Sequence, residues 1–377
     1  MNSLFITSNA FFLEGKSGGF LISRRNRDLL RKITNGECYT IFTCGNKNNI
    51  PLEKTEIALS VKVNRLQRVF GLFVGRYYMI RPLENELVKF IKDHEIDVVF
   101  FDSTYFGITL RRIKEVCKVK TICFMHNVER KYLKKIKKVR NVKDLFFKRA
   151  GMCNESLSVK CADVLLAINE RDALDTEQFY GRKPDYVLPV SMDDLFRGDV
   201  FANSNFLKGC CSLLFVGSNF PPNVDGIRWF IKEVLPELDI SLTVVGNDLD
   251  LYKDEFESPK VKVLGRVESL TEYYERADAV VEPIFYGSGM KVKTAEAMMY
   301  GKIIFATSEA LEGYNEPSDD IYRCDSKESF LLAIREFICD KKVFSYRNRQ
   351  IWEQNYDSRI YQSKLADIVN RVLGKTR

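Results

Sequence analysis

The stretch from Val280 to Phe305, VVEPIFYGSGMKVKTAEAMMYGKIIF, constrains the chain most. A β-branched run ends at Val281, a glycine-rich loop holds Gly287, Ser288 and Gly289, helical spacing runs from about Lys291 to Tyr300, and a second β-branched run begins at Ile303. This order predicts strand, loop, helix and strand. The loop places backbone N–H groups at a helix N-terminus, where aligned peptide dipoles favour an anion, and Lys291 and Lys293 add positive charge beside it. Glu296, three residues past Lys293, falls on the same helix face. Cations in front and a carboxylate behind suit a phosphate joined to a hydroxylated sugar. Read more plainly, Lys293 and Glu296 would be a surface ion pair worth a few tenths of a kcal/mol.

Composition narrows the classes. The chain has 377 residues, 45% of them apolar, enough for two ordinary domains with their own cores. No apolar run approaches the roughly 18 residues of a membrane span, and the N-terminus lacks a basic region followed by a long apolar stretch, so a cytoplasmic location is expected. The ten cysteines are scattered apart from Cys210 and Cys211, with no CxxC, which reads as reduced thiols and no zinc. His94 and His126 are the only histidines, which argues against a His-based metal site.

The net charge of +7 is concentrated. Residues 129–149 hold ten Lys or Arg against Glu129 and Asp144, a segment charge of +8 that leaves −1 for the rest. Leu133, Ile136, Val139, Val142 and Phe146 recur at spacings of three to four, predicting one amphipathic helix whose cationic face includes Lys134, Lys135, Lys137 and Lys138. Such a face suits an anionic membrane surface and a lipid-borne acceptor, or is simply solvated. No nucleic-acid module accompanies it.

Along the chain, SLFIT reads as a strand entering a loop with Gly18 and Gly19, without the Gly-x-Gly-x-x-Gly dinucleotide fingerprint. Tyr39–Gly45, Ile96–Ser103 and Lys120–Asn127 read as further buried strands, with His126 at the carboxyl end of the last; His94, at a helix end, reads as structural. In open α/β sheets ligands gather at strand carboxyl ends, which makes His126 a site candidate, although a histidine satisfied by backbone bonds would look the same. Periodicity is lost over 191–207, the expected linker between a domain at 1–195, rejoined by a C-terminal helix at 355–377, and one at 208–350. The second series opens with CSLLFVGSNFPPN, a strand and a loop from Gly217.

The motif GSGMKVKTAEAMMYGK resembles the donor-binding signature of the family-4 retaining glycosyltransferases, and the likeness extends to the Ala162–Asp172 segment, with Asn169 in the usual serine position, and to the final helix. One departure is that Ser288 stands where many members carry a first glutamate. The resemblance implies the GT-B architecture, two doubly wound, Rossmann-like parallel-sheet domains facing across a cleft. It also implies a metal-independent, retaining transfer from a nucleotide diphosphate sugar to a glycan or lipid-linked acceptor in polysaccharide, lipopolysaccharide or capsule assembly. No cofactor is expected. By the same resemblance Gly18, Gly19, Gly217 and Ser218 approach the diphosphate, and the turn Arg266, Val267, Glu268 contacts the base. Ser288, Gly289, Met290 and Lys291 hold the sugar and phosphates, Lys293 stabilises the leaving group and Glu296 the ribose. His126, with Glu129 near it, meets the transferred sugar. Asp248 and Asp250 match the short metal motif of a different glycosyltransferase fold, which the doubly wound pattern opposes. Rival readings are a non-catalytic partner or scaffold subunit, favoured by Ser288, and a nucleotide-sugar 2-epimerase.

Overall fold

A computed structural model describes residues 1–7, 18–43, 53–58, 70–71, 73–76, 78–135, 142–198, 211–287, 289–315 and 317–374. The chain divides into two compact units, Met1–Pro189 with Tyr361–Arg377, and Val190–Ile360.

In the first unit, β1 (Ser3–Thr7), β2 (Cys38–Phe42), β3 (Glu56–Ala58), β4 (Val98–Phe101), β5 (Lys120–Met125), β6 (Val164–Ala167) and β7 (Tyr186–Val187) form one sheet in the order β3-β2-β1-β4-β5-β6-β7. All neighbours are parallel. Strands covered on both faces read as unbroken apolar runs, as in VVFF of β4 and KTICFM of β5, whose residues are buried apart from Lys120. The helices are α1 (Gly18–Ile33), α2 (Arg81–Asp93), α3 (Gly107–Val116), α4 (Glu129–Lys135), α5 (Val142–Cys161) and α6 (Glu170–Tyr180). Strand order reverses between β1 and β4, so the carboxyl ends of these strands flank the position where such sheets bind ligands. Asn169 caps α6, its Oδ1 accepting the Asp172 N–H at 2.7 Å.

In the second unit, β8 (Cys211–Ser218), β9 (Ile240–Asn247), β10 (Val261–Leu264), β11 (Ala279–Glu282), β12 (Ile303–Ala306) and β13 (Ile321–Arg323) are ordered β10-β9-β8-β11-β12-β13, again all parallel. Its helices are α7 (Pro221–Trp229), α8 (Lys253–Phe256), α9 (Thr271–Arg276), α10 (Val292–Met299), α11 (Lys327–Asp340) and α12 (Tyr346–Asn355), before α13 (Ser358–Val372) runs on into the first unit's sequence. Here the reversal falls between β8 and β11.

Several expectations change. Gly18 and Gly19 open α1 rather than forming a turn, and a Cβ at Gly19 would meet nothing within 4 Å, so no close backbone approach within the described residues requires glycine there. The basic segment is described as two helices, α4 and α5; Lys134 and Lys135 stand on the last turn of α4, while Lys137 and Lys138 lie outside the described residues. Its apolar residues do not share one face, since Leu133 is buried whereas Val142 and Leu145 are exposed. Tertiary packing of α4 against α5 claims Leu133 for the core. The start of the expected linker is also structured: Met192 bridges Asp357, Asp194 pairs with Arg349, and Asp193 accepts the Ser358 hydroxyl at 2.5 Å.

Candidate donor site

The second unit's reversal point assembles the loops after β8 and β11. Gly217 and Ser218 end β8, and two prolines open α7 behind them, where their fixed φ and missing N–H suit a helix start. The backbones here are crowded. A Cβ on Gly246 of the neighbouring strand, whose φ is +152°, would lie 1.5 Å from the Gly217 carbonyl oxygen, so only glycine fits. The Gly246 N–H donates to the Gly265 carbonyl at 3.2 Å, which ties the Arg266–Glu268 turn to this end of the sheet. In that turn Arg266 and Glu268 are exposed and Val267 is half-buried.

Across the reversal, β11 ends at Glu282 and the chain runs through buried Gly287, Gly289 and Met290 into α10. Gly289 has φ +64°, the left-handed conformation that glycine adopts without a Cβ clash. Ser288 lies outside the described residues. Lys291 occupies the N-cap position of α10 with extended φ and ψ, and no side-chain cap serves the first turn. The N–H groups of a first helical turn point out of the helix end and favour an anion.

The two lysines differ. Lys291 Nζ is 2.9 Å from Glu309 Oε1 and 3.0 Å from the Gly289 carbonyl, so its charge is met locally. Its own carbonyl accepts the Tyr314 hydroxyl at 2.7 Å. The expectation of two available positive charges therefore narrows to one. Half-buried Lys293 donates from Nζ to Asn223 Oδ1 at 2.8 Å and lies 4.6 Å from the centre of the Phe215 ring, both neutral partners. Asn223 in turn donates from Nδ2 to the Ser218 carbonyl at 3.1 Å, which fixes its amide so that Oδ1 faces the lysine. Lys293, Asn223, Ser218 and Gly217 thus meet across the two loops.

Beneath them, Glu282 is fully buried. Thr294 Oγ1 donates to its Oε2 at 2.6 Å, while its Oε1 has no hydrogen-bond partner. Burial raises the Glu282 carboxyl and lowers the Lys293 ammonium from their ordinary values, and the charge of each opposes the other's shift. A cation held down by desolvation gains when an anion arrives. Glu296, one turn along α10, accepts the Tyr274 hydroxyl at 3.1 Å, and burial pushes its carboxyl up to about 7. Tyr274 is itself stacked on Tyr300 with ring centres 4.8 Å apart, so the phenol is rigidly aimed.

His126 stands in the first unit, just past β5, with Nε2 3.3 Å from Asp102 Oδ1. Glu129 is turned inward: its carboxyl accepts the Tyr105 hydroxyl at 2.5 Å and burial pushes it up to about 8. Glu155 then accepts the Glu129 and Arg130 N–H groups, neutralising the start of α4. His94 lies with Nδ1 3.1 Å from the Phe90 carbonyl. Asp248, with φ +58°, precedes a short 3-10 turn, and among the described residues no three metal-ligating side chains converge.

Sequence reasoning missed Asn223, Glu282, Tyr274 and Asp102. Glu282 and Asp102 carried one available signal, since each ends or directly follows a buried strand at a reversal point. Asn223 and Tyr274 carried none that spacing alone could supply.

With two parallel-sheet α/β units of this topology, the chain has a GT-B fold. Residues 211–340, which lie in the second unit, match the family model described as Glycosyl transferases group 1. A curated relative, an uncharacterised 44.6 kDa protein in the cps region of Klebsiella pneumoniae, is 24% identical over 336 residues, covering 76% of this chain and 81% of the relative. Sucrose-phosphate synthase from Thermosynechococcus elongatus is similar in structure with TM-score 0.77 at 13% identity, covering all of both chains. Anabaena HepE in complex with UDP and glucose has TM-score 0.68 at 14% identity, covering 98% of this chain and all of HepE. The lipopolysaccharide outer core galactosyltransferase WaaB in its apo form has TM-score 0.65 at 14% identity, covering all of both chains. No helix among the described residues is long and apolar enough to cross a membrane.

Proposed function

We propose that the chain is a glycosyltransferase that takes a sugar from a nucleotide diphosphate donor and passes it to a glycan or lipid-linked acceptor, with retention at the anomeric carbon, during cell-surface polysaccharide assembly. The observation that carries the reading is Lys293, a half-buried ammonium at the start of α10 whose hydrogen-bond acceptor is a neutral amide. The cps-region relative and the UDP-bound neighbour agree with it.

When the bond from the anomeric carbon to the β-phosphate oxygen breaks, negative charge grows on the diphosphate. The amides of the Gly289 loop and the Lys293 ammonium meet that charge as it develops, so they lower the barrier more than they strengthen ground-state binding. Glu296, ionised, accepts hydroxyls of the ribose. The acceptor oxygen forms the new bond and its proton leaves with the phosphate or a nearby base. Met290 and the backbone at Lys291 contact the sugar, and the Arg266–Glu268 turn borders the nucleoside.

The test is release of nucleoside diphosphate from a panel of UDP-, GDP- and ADP-sugars, with and without chelator and a membrane extract as acceptor source. Release from one donor that is lost in Glu296→Ala supports the transferase. An epimerised donor supports the isomerase, and binding without turnover under all conditions supports the scaffold.

A further inference from the structure

The geometry points to Asp102 as the positioning residue for His126, oriented by a buried hydrogen-bond chain that begins at Arg25. Arg25, Asn26 and Asp102 are 8%, 1% and 3% exposed. The Arg25 guanidinium sits 3.7 Å over the Tyr361 ring and donates to the Pro189 carbonyl at 2.8 Å and the Tyr361 hydroxyl at 2.7 Å. It also donates to Asn26 Oδ1 from Nη2 at 2.7 Å and from Nε at 3.2 Å. Asn26 Nδ2 donates to Asp102 Oδ1 at 3.2 Å, and that same oxygen lies 3.3 Å from His126 Nε2.

The chain has a fixed polarity. A guanidinium can only donate, so Asn26 must turn its oxygen toward Arg25 and its NH₂ toward Asp102. An ionised carboxylate can only accept, and a lone pair on Nε2 facing it would be repelled. The proton of neutral His126 therefore belongs on Nε2, which leaves the Nδ1 lone pair as the acceptor. The Asp102 carboxylate thus sets the tautomer, and Arg25, through Asn26, holds that carboxylate in place. Arg25 anchors this chain to Pro189 and Tyr361, the residues at the two points where the backbone leaves and re-enters the first unit. On the transferase reading, on which this consequence rests, His126 meets a substrate hydroxyl through Nδ1 as acceptor. The Phe124 ring, edge-on with centres 4.9 Å apart, restricts the imidazole from another side.

The chain carries its own control. His94 Nδ1 faces a carbonyl, an acceptor, so its proton belongs on Nδ1, the opposite tautomer. Selective ¹⁵N labelling of the two imidazoles, at a pH where both are neutral, should show one histidine of each tautomer. Arg25→Lys and Asp102→Asn should shift the His126 signals and leave those of His94 in place. Native His126 protonated on Nδ1, or signals unmoved by both variants, would overturn the proposal. With an active donor, Asp102→Asn should lower kcat at least tenfold and change donor KM less than twofold. In a His126→Ala background the same change should cost less than twofold, because a residue acting through His126 has nothing left to position. Multiplying losses would also overturn it. If Asp102→Asn fails to fold, Arg25→Lys supplies the spectroscopic answer. If no donor turns over, the transferase reading fails while the tautomer still decides the role of Asp102.

Discussion

Thr294→Val isolates the buried support under the candidate diphosphate loop. The substitution keeps the side-chain shape while removing the donor that lies 2.6 Å from Glu282 Oε2. Because Glu282 Oε1 has no partner, the variant leaves a fully buried carboxyl with neither oxygen hydrogen-bonded. A hydrogen bond to a charged group contributes about 1.5–3 kcal/mol net. At about 2–4 °C per kcal/mol, the melting transition of the second unit should fall by roughly 3–12 °C. The penalty depends on pH with a definite sign. Burial raises the Glu282 carboxyl, so at low pH it is neutral and less costly to leave unbonded, whereas at high pH it must carry its charge without the Thr294 hydrogen bond. The loss should therefore be small near pH 5 and grow toward pH 8.5. Differential scanning calorimetry at both pH values, with Thr294→Ser as the hydroxyl-retaining control, reads it directly. An equal loss at both values, or none at either, would refute the argument that this hydroxyl stabilises an ionised Glu282.

Lys293→Ala should lower donor turnover roughly 10- to 150-fold, the equivalent of one charge-assisted hydrogen bond, with a smaller change in donor KM; stopped-assay kinetics on the active donor check it. Gly246→Ala should destabilise the second unit by more than about 1 kcal/mol, since the new Cβ strikes the Gly217 carbonyl at a positive φ; a denaturant melt against Gly181→Ala, where φ is also positive and nothing lies within 4 Å, separates the clash from the backbone strain. Glu296 predicts opposing pH trends. Its native carboxyl is pushed from 4.5 up to about 7, so the native state keeps a proton that the unfolded chain has released, and its contribution to stability falls as pH rises through that window. Donor affinity should rise over the same window as the ionised acceptor forms, by up to about tenfold per pH unit, which calorimetric titration and thermal melts on the same samples resolve.

How much was readable from sequence follows from how local each feature is. The strand–loop–helix–strand unit from Val280 to Phe305 was legible because apolar period and glycine placement are encoded within one short stretch. The edge strands Glu56–Ala58 and Ile321–Arg323, three residues each, leave no period to read. The basic segment misled for a related reason: Leu133 and Val142 fit one helical stripe on paper, but packing buries the first and exposes the second. Pairing across distance was invisible. Lys291 meets Glu309, Lys293 meets Asn223, and Asn26 meets Asp102, partners 18, 70 and 76 residues apart that only the folded sheets bring together. The same holds for Glu129, placed by resemblance beside the substrate and found with its carboxyl bonded to Tyr105.

On the proposed reading, the Gly217 and Gly289 loops, Lys293 and Glu296 form a nucleoside diphosphate site. Its most direct test is isothermal titration of UDP, GDP and ADP, each beside its monophosphate, into the native chain and Glu296→Ala. One diphosphate should bind, more tightly than its monophosphate, and Glu296→Ala should weaken it at least tenfold. No heat from any diphosphate, or equal affinity in the native chain and the variant, would contradict it.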